Sequence, residues 1–389
     1  MSHRSVLTAA LALGVVLALG TGTSRLAATA AAEPYLVGAV VSESGPASTL
    51  GRPAADSIRM AVDEINAAGG VNGRHLDLKI VDDQSVPAMS VNALRQLLDQ
   101  HPIAVLGSTG SPTSLAMVPV ATAAQVPLIS MGSSAAIIEP PADRRWIFKI
   151  PVADTFIAQR LQQSMKARKL MRVAIVYRDD DYGKGGLARF QETGKPAGFE
   201  VVDAEPIAAT ATDATTQLTH VKASNPQAVL VWTTLPSANI VIKGYRELAL
   251  PYPIYFSEGA ANQLFLAQAG SALDGALFAT EKAAVANEIP AADPQKRVLG
   301  HYASEFATRY PKDGPPSIFG GFGYDAVYVL AEGLRHAGAG GAKLRDALEH
   351  VAYTGVSGPF RMTPADHNGL GIDAVELTQA TNGKFTVVR

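Results

Sequence analysis

Four loops that follow predicted strands carry the residues most able to do chemistry. One of them contains Glu258, a lone acid among small residues in the sequence YFSEGAAN. The other three are polar and span residues 107–113, 130–134 and 178–183. Ligands of open α/β sheets bind beyond the carboxyl ends of the strands, so we expect these loops to meet at one site.

Nucleotide chemistry is disfavoured by the loop after the first predicted strand. A dinucleotide-binding fold needs G-x-G-x-x-G there, whereas this chain has Ser42-Glu43-Ser44-Gly45-Pro46. Its proline removes an N–H that could face a phosphate. No G-x-x-x-x-G-K-[ST] sequence occurs either.

The sequence also lacks the residue patterns that hydrolytic catalysis and metal binding require. Ser108, Ser111 and Ser114 lie near a helix start, but G-x-S-x-G is absent and the eight histidines are scattered at positions expected on the surface. The acids at 179–181 lack the spacing of an EF-hand, so we expect a solvated turn there. The chain is therefore predicted to be no enzyme and to hold neither a metal nor a cofactor.

A binding site explains these loops better. Ser111, Ser133 and Ser134 offer hydroxyl groups, and helices beginning there would point N–H groups at a ligand carboxylate. The same serines would also serve as ordinary helix N-caps. Glu258 offers the opposite charge, which suits an ammonium group. A carboxylate site facing an ammonium site describes an α-amino acid.

Composition and length fit an exported binding protein. The chain has 389 residues, a formal net charge of −2 and no cysteine. Near-neutral charge argues against nucleic-acid binding, and this length suggests two domains. The lack of cysteine excludes disulfides and a lipid-modified cysteine. Residues 1–32 are predicted to be a secretory signal peptide, with a membrane anchor as the alternative, and the mature protein is predicted to be periplasmic and free of a lipid anchor.

Apolar strands alternate with amphipathic helices along the mature chain, and the pattern restarts after Pro151. This alternation predicts an α/β fold with two Rossmann-like lobes, each with a parallel sheet covered by helices on both faces. A late helical block, 296–310 and 324–350, precedes a tail of short strands.

Several segments resemble the periplasmic binding proteins for leucine, isoleucine and valine, the soluble receptors of ABC importers. They are SGPASTLGRPAADSIRMAVDEINAAGGVNG (residues 44–73), VDDQ (81–84), PLIS (127–130), DYG (181–183), SEG (257–259) and GYDA (323–326). The resemblance covers essentially the whole mature chain. It implies a type I periplasmic binding protein fold, with lobes of residues 33–151 plus 282–355 and 152–281 plus 356–389. The resemblance also implies that three hinge crossings join the lobes and that the lobes close on the ligand.

The resemblance also implies a pocket and partners. The ligand carboxylate would meet the loops of Ser111 and 132–134, the ammonium would meet Tyr182 and Glu258, and three further residues would surround the ligand side chain. The ligand-binding residues are therefore predicted to be Leu50, Ser111, Gly132, Ser133, Ser134, Tyr182, Thr234, Glu258 and Phe319. The expected partners are an amino acid and a membrane permease, and the protein is expected to be a monomer.

The ligand itself is left open by the sequence. Leu50 and Thr234 replace aromatic residues of well-known leucine binders, so the side-chain pocket is expected to differ from theirs. A branched-chain or other apolar amino acid is the first expectation for the ligand. The alternatives are an aromatic carboxylate, an amide or urea bound by the same fold, or a lobe that senses a ligand for signalling.

Overall fold

Two sheets organise the protein, which this computed structural model describes over residues 33–312, 314–338 and 340–389. The predicted signal peptide, residues 1–32, lies outside the described residues. The strands of the first sheet are β1 (Tyr35–Val41), β2 (Leu76–Asp82), β3 (Ala104–Gly107), β4 (Leu128–Ser130) and β5 (Ile147–Lys149). They are parallel and lie in the order β2-β1-β3-β4-β5. The sequence of β1, YLVGAVV, is an almost unbroken apolar run because both of its faces are covered.

The second sheet is larger and mixed. Its strands are β6 (Arg172–Arg178), β7 (Glu200–Ile207), β8 (Ala228–Trp232), β9 (Ile254–Phe256), β10 (Leu277–Glu281), β13 (Val375–Thr381) and β14 (Lys384–Val387), and a separate hairpin contains β11 (Ala352–Thr354) and β12 (Pro359–Arg361). The order is β14-β13-β10-β9-β8-β6-β7. The last two strands pair antiparallel at one edge, so only the first five follow the predicted parallel pattern.

Helices cover both sheets. They are α1 (Ser48–Ala67), α2 (Pro87–Leu98), α3 (Ser111–Ala124), α4 (Asp154–Ala167), α5 (Asp181–Gly194), α6 (Thr215–Ala223), α7 (Ser237–Glu247), α8 (Gln263–Ala269), α9 (Lys296–Arg309), α10 (Ile318–Ala337) and α11 (Ala342–Leu348). The first sheet with α1–α3 and α9–α11 is called the N-terminal lobe, and the second sheet with α4–α8 is called the C-terminal lobe. In the described part of the chain, no helix combines the length and apolarity needed to cross a membrane.

The chain passes between the two lobes three times, after β5, after β10 and between β12 and β13. Buried polar groups fix these crossings. Lys149 donates from Nζ to the carbonyls of Ser133, Pro151 and Val152 at 3.1, 2.7 and 3.1 Å. The amide of Asn368 donates to the carbonyls of Lys149 and Pro151 at 3.0 and 2.8 Å. The predicted α/β architecture with two lobes is confirmed, and the exact lobe limits stay a prediction.

The hydrogen bond between Asn262 and Thr49 is one of the contacts that join the two lobes. Pro53 lies inside α1 and has no N–H for the carbonyl of Thr49, one turn earlier. The side-chain amide of Asn262, which precedes α8 in the other lobe, donates to that carbonyl at 3.3 Å. Asn262 therefore satisfies a helical carbonyl that the proline leaves free.

Candidate functional site

A small cavity lies at the carboxyl ends of the strands of both lobes. Six of the nine predicted ligand-binding residues line it: Leu50, Ser111, Ser133, Tyr182, Thr234 and Phe319. They come from both lobes, so the predicted loops do meet at one place.

The other three predicted residues do not line this cavity. The N–H of Gly132 is used internally, since it donates to Ser130 Oγ at 3.0 Å. The N–H of Ser134 donates to Ser111 Oγ at 3.1 Å. Glu258 lies behind Tyr182, whose ring faces the cavity. Gly132 and Ser134 therefore shape the loop beside the cavity in this structure.

Ser111 is the best-placed group for an anion on the N-terminal lobe. It is the first residue of α3, and its hydroxyl oxygen accepts from Ser134, which leaves its own proton free to donate. The loop after β4 differs from expectation because it forms only a 3-10 turn, Ala135–Ile137. The consecutive prolines 140 and 141 follow closely and prevent a longer helix. The N–H of Ala135 is taken by Asp154 Oδ2 at 3.1 Å.

Other serines of these loops hold the loops together. Asp83 accepts from Ser42 Oγ at 2.7 Å and from Ser108 Oγ at 2.5 Å. Ser130 Oγ donates to Ser114 Oγ at 2.8 Å. All of these side chains are buried and hydrogen-bonded. Ser108 and Ser114 are therefore explained as anchors of the ligand loops.

Glu258 is buried with one oxygen unsatisfied. Its side chain is 1% exposed, and Oε1 accepts from the Tyr182 hydroxyl at 3.0 Å. That hydroxyl also lies 2.9 Å from Ser257 Oγ and accepts from the N–H of Gly259 at 3.0 Å. Oε2 of Glu258 has no hydrogen-bond partner among the described residues. An unpaired buried carboxylate oxygen is costly, so a hydrogen-bond donor that reached Oε2 would be stabilised there.

Neighbouring acids make an ionised Glu258 still more costly. Burial, with added repulsion from Asp154 and Glu281, raises the pKa of Glu258 to about 8. Burial also raises the pKa of Asp154 to about 6 and that of Glu281 to about 7. Lys149 is the buried cation near all three, and burial lowers its pKa. Three buried carboxyl groups thus share one lysine, and the region favours a further positive charge.

Sequence reasoning missed two charged residues of the cavity wall, Arg178 and Asp180. Arg178 ends β6, its Nε lies 2.6 Å from Asp180 Oδ2, and its Nη1 donates to Thr234 Oγ1. Asp180 caps α5 by accepting from the N–H groups of Tyr182 and Gly183. The acidic run was expected to be a solvated turn. Its position directly after a buried strand indicated a loop near the site, but not the burial of these two side chains.

Two buried side chains lie away from the cavity. Trp232 is fully buried and is not among the residues that line the cavity, and it packs against Gly186, where a Cβ would lie only 2.0 Å from its ring. His367 was expected on the surface but is 2% exposed, because it stacks on Phe148 at 4.5 Å and lies with Nδ1 2.8 Å from the carbonyl of Ile147. Within the described ranges, no group of three His, Cys, Asp or Glu side chains could hold a metal ion.

Comparison with known proteins places the chain in a defined group. A family model described as "Periplasmic binding protein" matches residues 34–384. The leucine-, isoleucine-, valine-, threonine- and alanine-binding protein of Pseudomonas aeruginosa is 26% identical over 313 residues, which cover 78% of this chain and 79% of that protein.

Solved structures agree with that match. An extracellular ligand-binding receptor from Rhodopseudomonas palustris superposes with a TM-score of 0.85 at 25% identity, covering 91% of this chain and 99% of that one. The branched-chain amino acid transporter substrate-binding protein LivJ of Streptococcus pneumoniae, in complex with isoleucine, has a TM-score of 0.78 at 24% identity, covering 90% and 97% of the two chains.

Proposed function

The chain belongs to the periplasmic binding protein family, whose members bind ligands and are not enzymes, and from this premise we propose that it captures an α-amino acid between its lobes. It would work in the periplasm and pass the amino acid to the membrane permease of an ABC importer. Closure of the lobes would enclose both charged ends of the zwitterion.

The unpaired Oε2 of Glu258 is the observation that carries this proposal. Glu258 lies behind Tyr182, so a ligand ammonium group that reached Oε2 past that ring would supply a donor, and it would also balance the three buried carboxyl groups near Lys149. Each hydrogen bond to a charged group contributes about 1.5–3 kcal/mol. The loss of one partner of a buried charge pair is more costly still, so an ionised Glu258 would discriminate strongly against ligands without an amine.

Ser111 is placed to bind the carboxylate of the zwitterion. Its hydroxyl and the N-terminus of α3 offer donors to a carboxylate, and no cationic side chain is needed there. Leu50 and Phe319 supply apolar surface for the ligand side chain. The names of the Pseudomonas aeruginosa relative and of the LivJ complex are consistent with an amino acid as the ligand class, branched-chain or otherwise apolar in its stem.

A second candidate keeps the fold and changes the ligand. With a pKa of about 8, Glu258 is mostly protonated at neutral pH in the free protein. A protonated carboxyl group donates a hydrogen bond, so it would also accommodate an aromatic carboxylate, an amide or urea.

A thermal-shift screen separates the two candidates, because a ligand that binds only the folded state raises the melting temperature. The screen compares the proteinogenic amino acids with benzoate, simple aliphatic amides and urea, on protein freed of bound ligand by unfolding and refolding. Stabilisation by an amino acid supports the proposal. Stabilisation by the other compounds alone would replace it with the second candidate.

A further inference from the structure

Arg178 gives the cavity a polar end that an aliphatic side chain does not need. The side chain is only 14% exposed, and it lies in the wall together with Thr234 and Asp180. A guanidinium group carries several N–H donors in a fixed fork. Burying so many donors is costly unless each finds an acceptor.

The donors of Arg178 are incompletely used. Nη1 donates to Thr234 Oγ1. Nε is buried and lies 2.6 Å from Asp180 Oδ2, but it makes no well-directed hydrogen bond. Arg178 thus places a guanidinium group with an unsatisfied donor in the same cavity wall as the apolar side chains Leu50, Phe319 and Phe322.

Asp180 determines what kind of acceptor fits. It balances the charge of Arg178, and it is held in place by the two N–H groups at the start of α5. The pair carries no net charge, so a ligand needs an oxygen acceptor there and does not need a second negative charge.

We propose that Arg178 and Thr234 form a second polar subsite, which selects amino acids with an apolar stem and a terminal oxygen acceptor: a hydroxyl, an amide carbonyl or a carboxylate. This rests on the proposed amino-acid function and names its substrate class. The stem contacts Leu50 and Phe319, and the terminal oxygen accepts from the guanidinium fork.

Pairs of ligands of similar shape test the subsite by calorimetry. In the pairs phenylalanine and tyrosine, leucine and asparagine, and methionine and glutamine, the second member carries the acceptor. In at least one pair, the member with the acceptor should bind the wild-type protein at least about tenfold more tightly than the member without it. The Arg178→Met variant should reduce that ratio to about one, and Arg172→Met, at the exposed start of the same strand, should leave it unchanged.

Thr234→Val is the second variant, and it decides the matter if Arg178→Met does not fold. It keeps the shape of the side chain and removes the hydroxyl that orients Arg178, so it should lower the same ratio. The subsite is wrong if no pair shows the preference in the wild-type protein, or if the preference survives both changes, and amino-acid binding would still stand.

Analogues without the amine distinguish failure of this inference from failure of the proposed function. If only 3-phenylpropanoate and 3-(4-hydroxyphenyl)propanoate bind, the amino-acid function is wrong. The ratio of the two affinities then tests the subsite on its own. If no compound of either set binds, both proposals are wrong.

Discussion

The hydroxyl of Tyr182 donates to one oxygen of Glu258 at 3.0 Å, while the other oxygen of that carboxyl group is buried without a partner among the described residues. The two residues come from different strand ends of the C-terminal lobe, since Tyr182 begins α5 and Glu258 follows β9. Burial raises the pKa of Tyr182 well above its usual value, so the phenol keeps its proton and stays a donor. The pair therefore orients the carboxyl group and leaves one of its oxygens unpaired among the described residues.

Replacing Glu258 with glutamine should abolish amino-acid binding without unfolding the protein. The amide keeps the volume and still accepts from Tyr182, but it cannot neutralise an ammonium group. We expect at least about a hundredfold loss of affinity, measured by calorimetry, because a buried ligand charge would lose its partner. Glu247→Gln makes the same change at an exposed position of α7 and should leave affinity unaltered. Unchanged affinity in Glu258→Gln would remove the ammonium assignment.

Binding should release a proton. In the free protein the pKa of Glu258 is raised to about 8, so the group is mostly protonated at neutral pH. An ammonium ligand favours the ionised form and lowers that pKa, so affinity should rise with pH and level off near pH 8. Below that value affinity should fall by up to about tenfold per pH unit. Calorimetry in phosphate and in Tris at the same neutral pH should give different apparent enthalpies. Equal enthalpies and pH-independent affinity would contradict this coupling.

Gly259 sets the position of the Tyr182 hydroxyl. A Cβ at Gly259 would lie 2.4 Å from that oxygen, so Gly259→Ala should push the ring away and break its bond to Glu258. We expect at least about a tenfold loss of affinity, from one charge-assisted hydrogen bond. Gly300→Ala is the matched control, since nothing lies within 4 Å of its Cβ position on α9. It should stabilise the protein by about 0.5–1 kcal/mol and leave binding intact. Equal binding by both variants would show that the ring position is unimportant.

Asn262 should favour the closed arrangement of the lobes. Its Oδ1 caps α8 by accepting from Leu264, while its Nδ2 donates across the cleft to Thr49. Asn262→Asp keeps the cap and loses the donor. We expect affinity to fall by roughly threefold to tenfold with little change in melting temperature, as for one neutral hydrogen bond.

The same change within one lobe provides the comparison. Asn239 on α7 donates to Gln268 of its own lobe, so Asn239→Asp should not alter affinity. An affinity in Asn262→Asp equal to that of the wild-type protein would show that the contact across the cleft contributes nothing to closure.

The elements with the strongest pattern could be predicted from the sequence. The apolar run Ala228–Trp232 is β8, and the periodic apolar positions 58, 61, 62 and 65 lie on the buried face of α1. Short or interrupted elements could not. β5 has only three residues, and one of them is Lys149, whose burial depends on carbonyls supplied by the crossings. The block 324–350 divides because Gly338 adopts a φ of 65° and ends α10.

The position of the site could be predicted from the sequence, but the hydrogen bonds and ion pairs within it could not. Strand ends and polar loops indicated where Ser111, Tyr182 and Glu258 would gather. The pairing of Arg178 with Asp180 could not be separated from a solvated acidic turn, because the difference is burial, which depends on how the two lobes meet. The burial of His367 could not be predicted for the same reason, since the surface that covers it comes from β5, more than 200 positions earlier in the chain.

The most direct test of the account compares a ligand with and without its amine. Each amino acid that stabilises the protein in the screen is titrated by calorimetry near pH 8, beside the carboxylic acid of the same side chain that lacks the α-amine. The account predicts that the amino acid binds at least about a hundredfold more tightly, because only its ammonium group pairs with Glu258. If the analogue binds as tightly as the amino acid, Glu258 does not hold an amine, and the proposed function is contradicted.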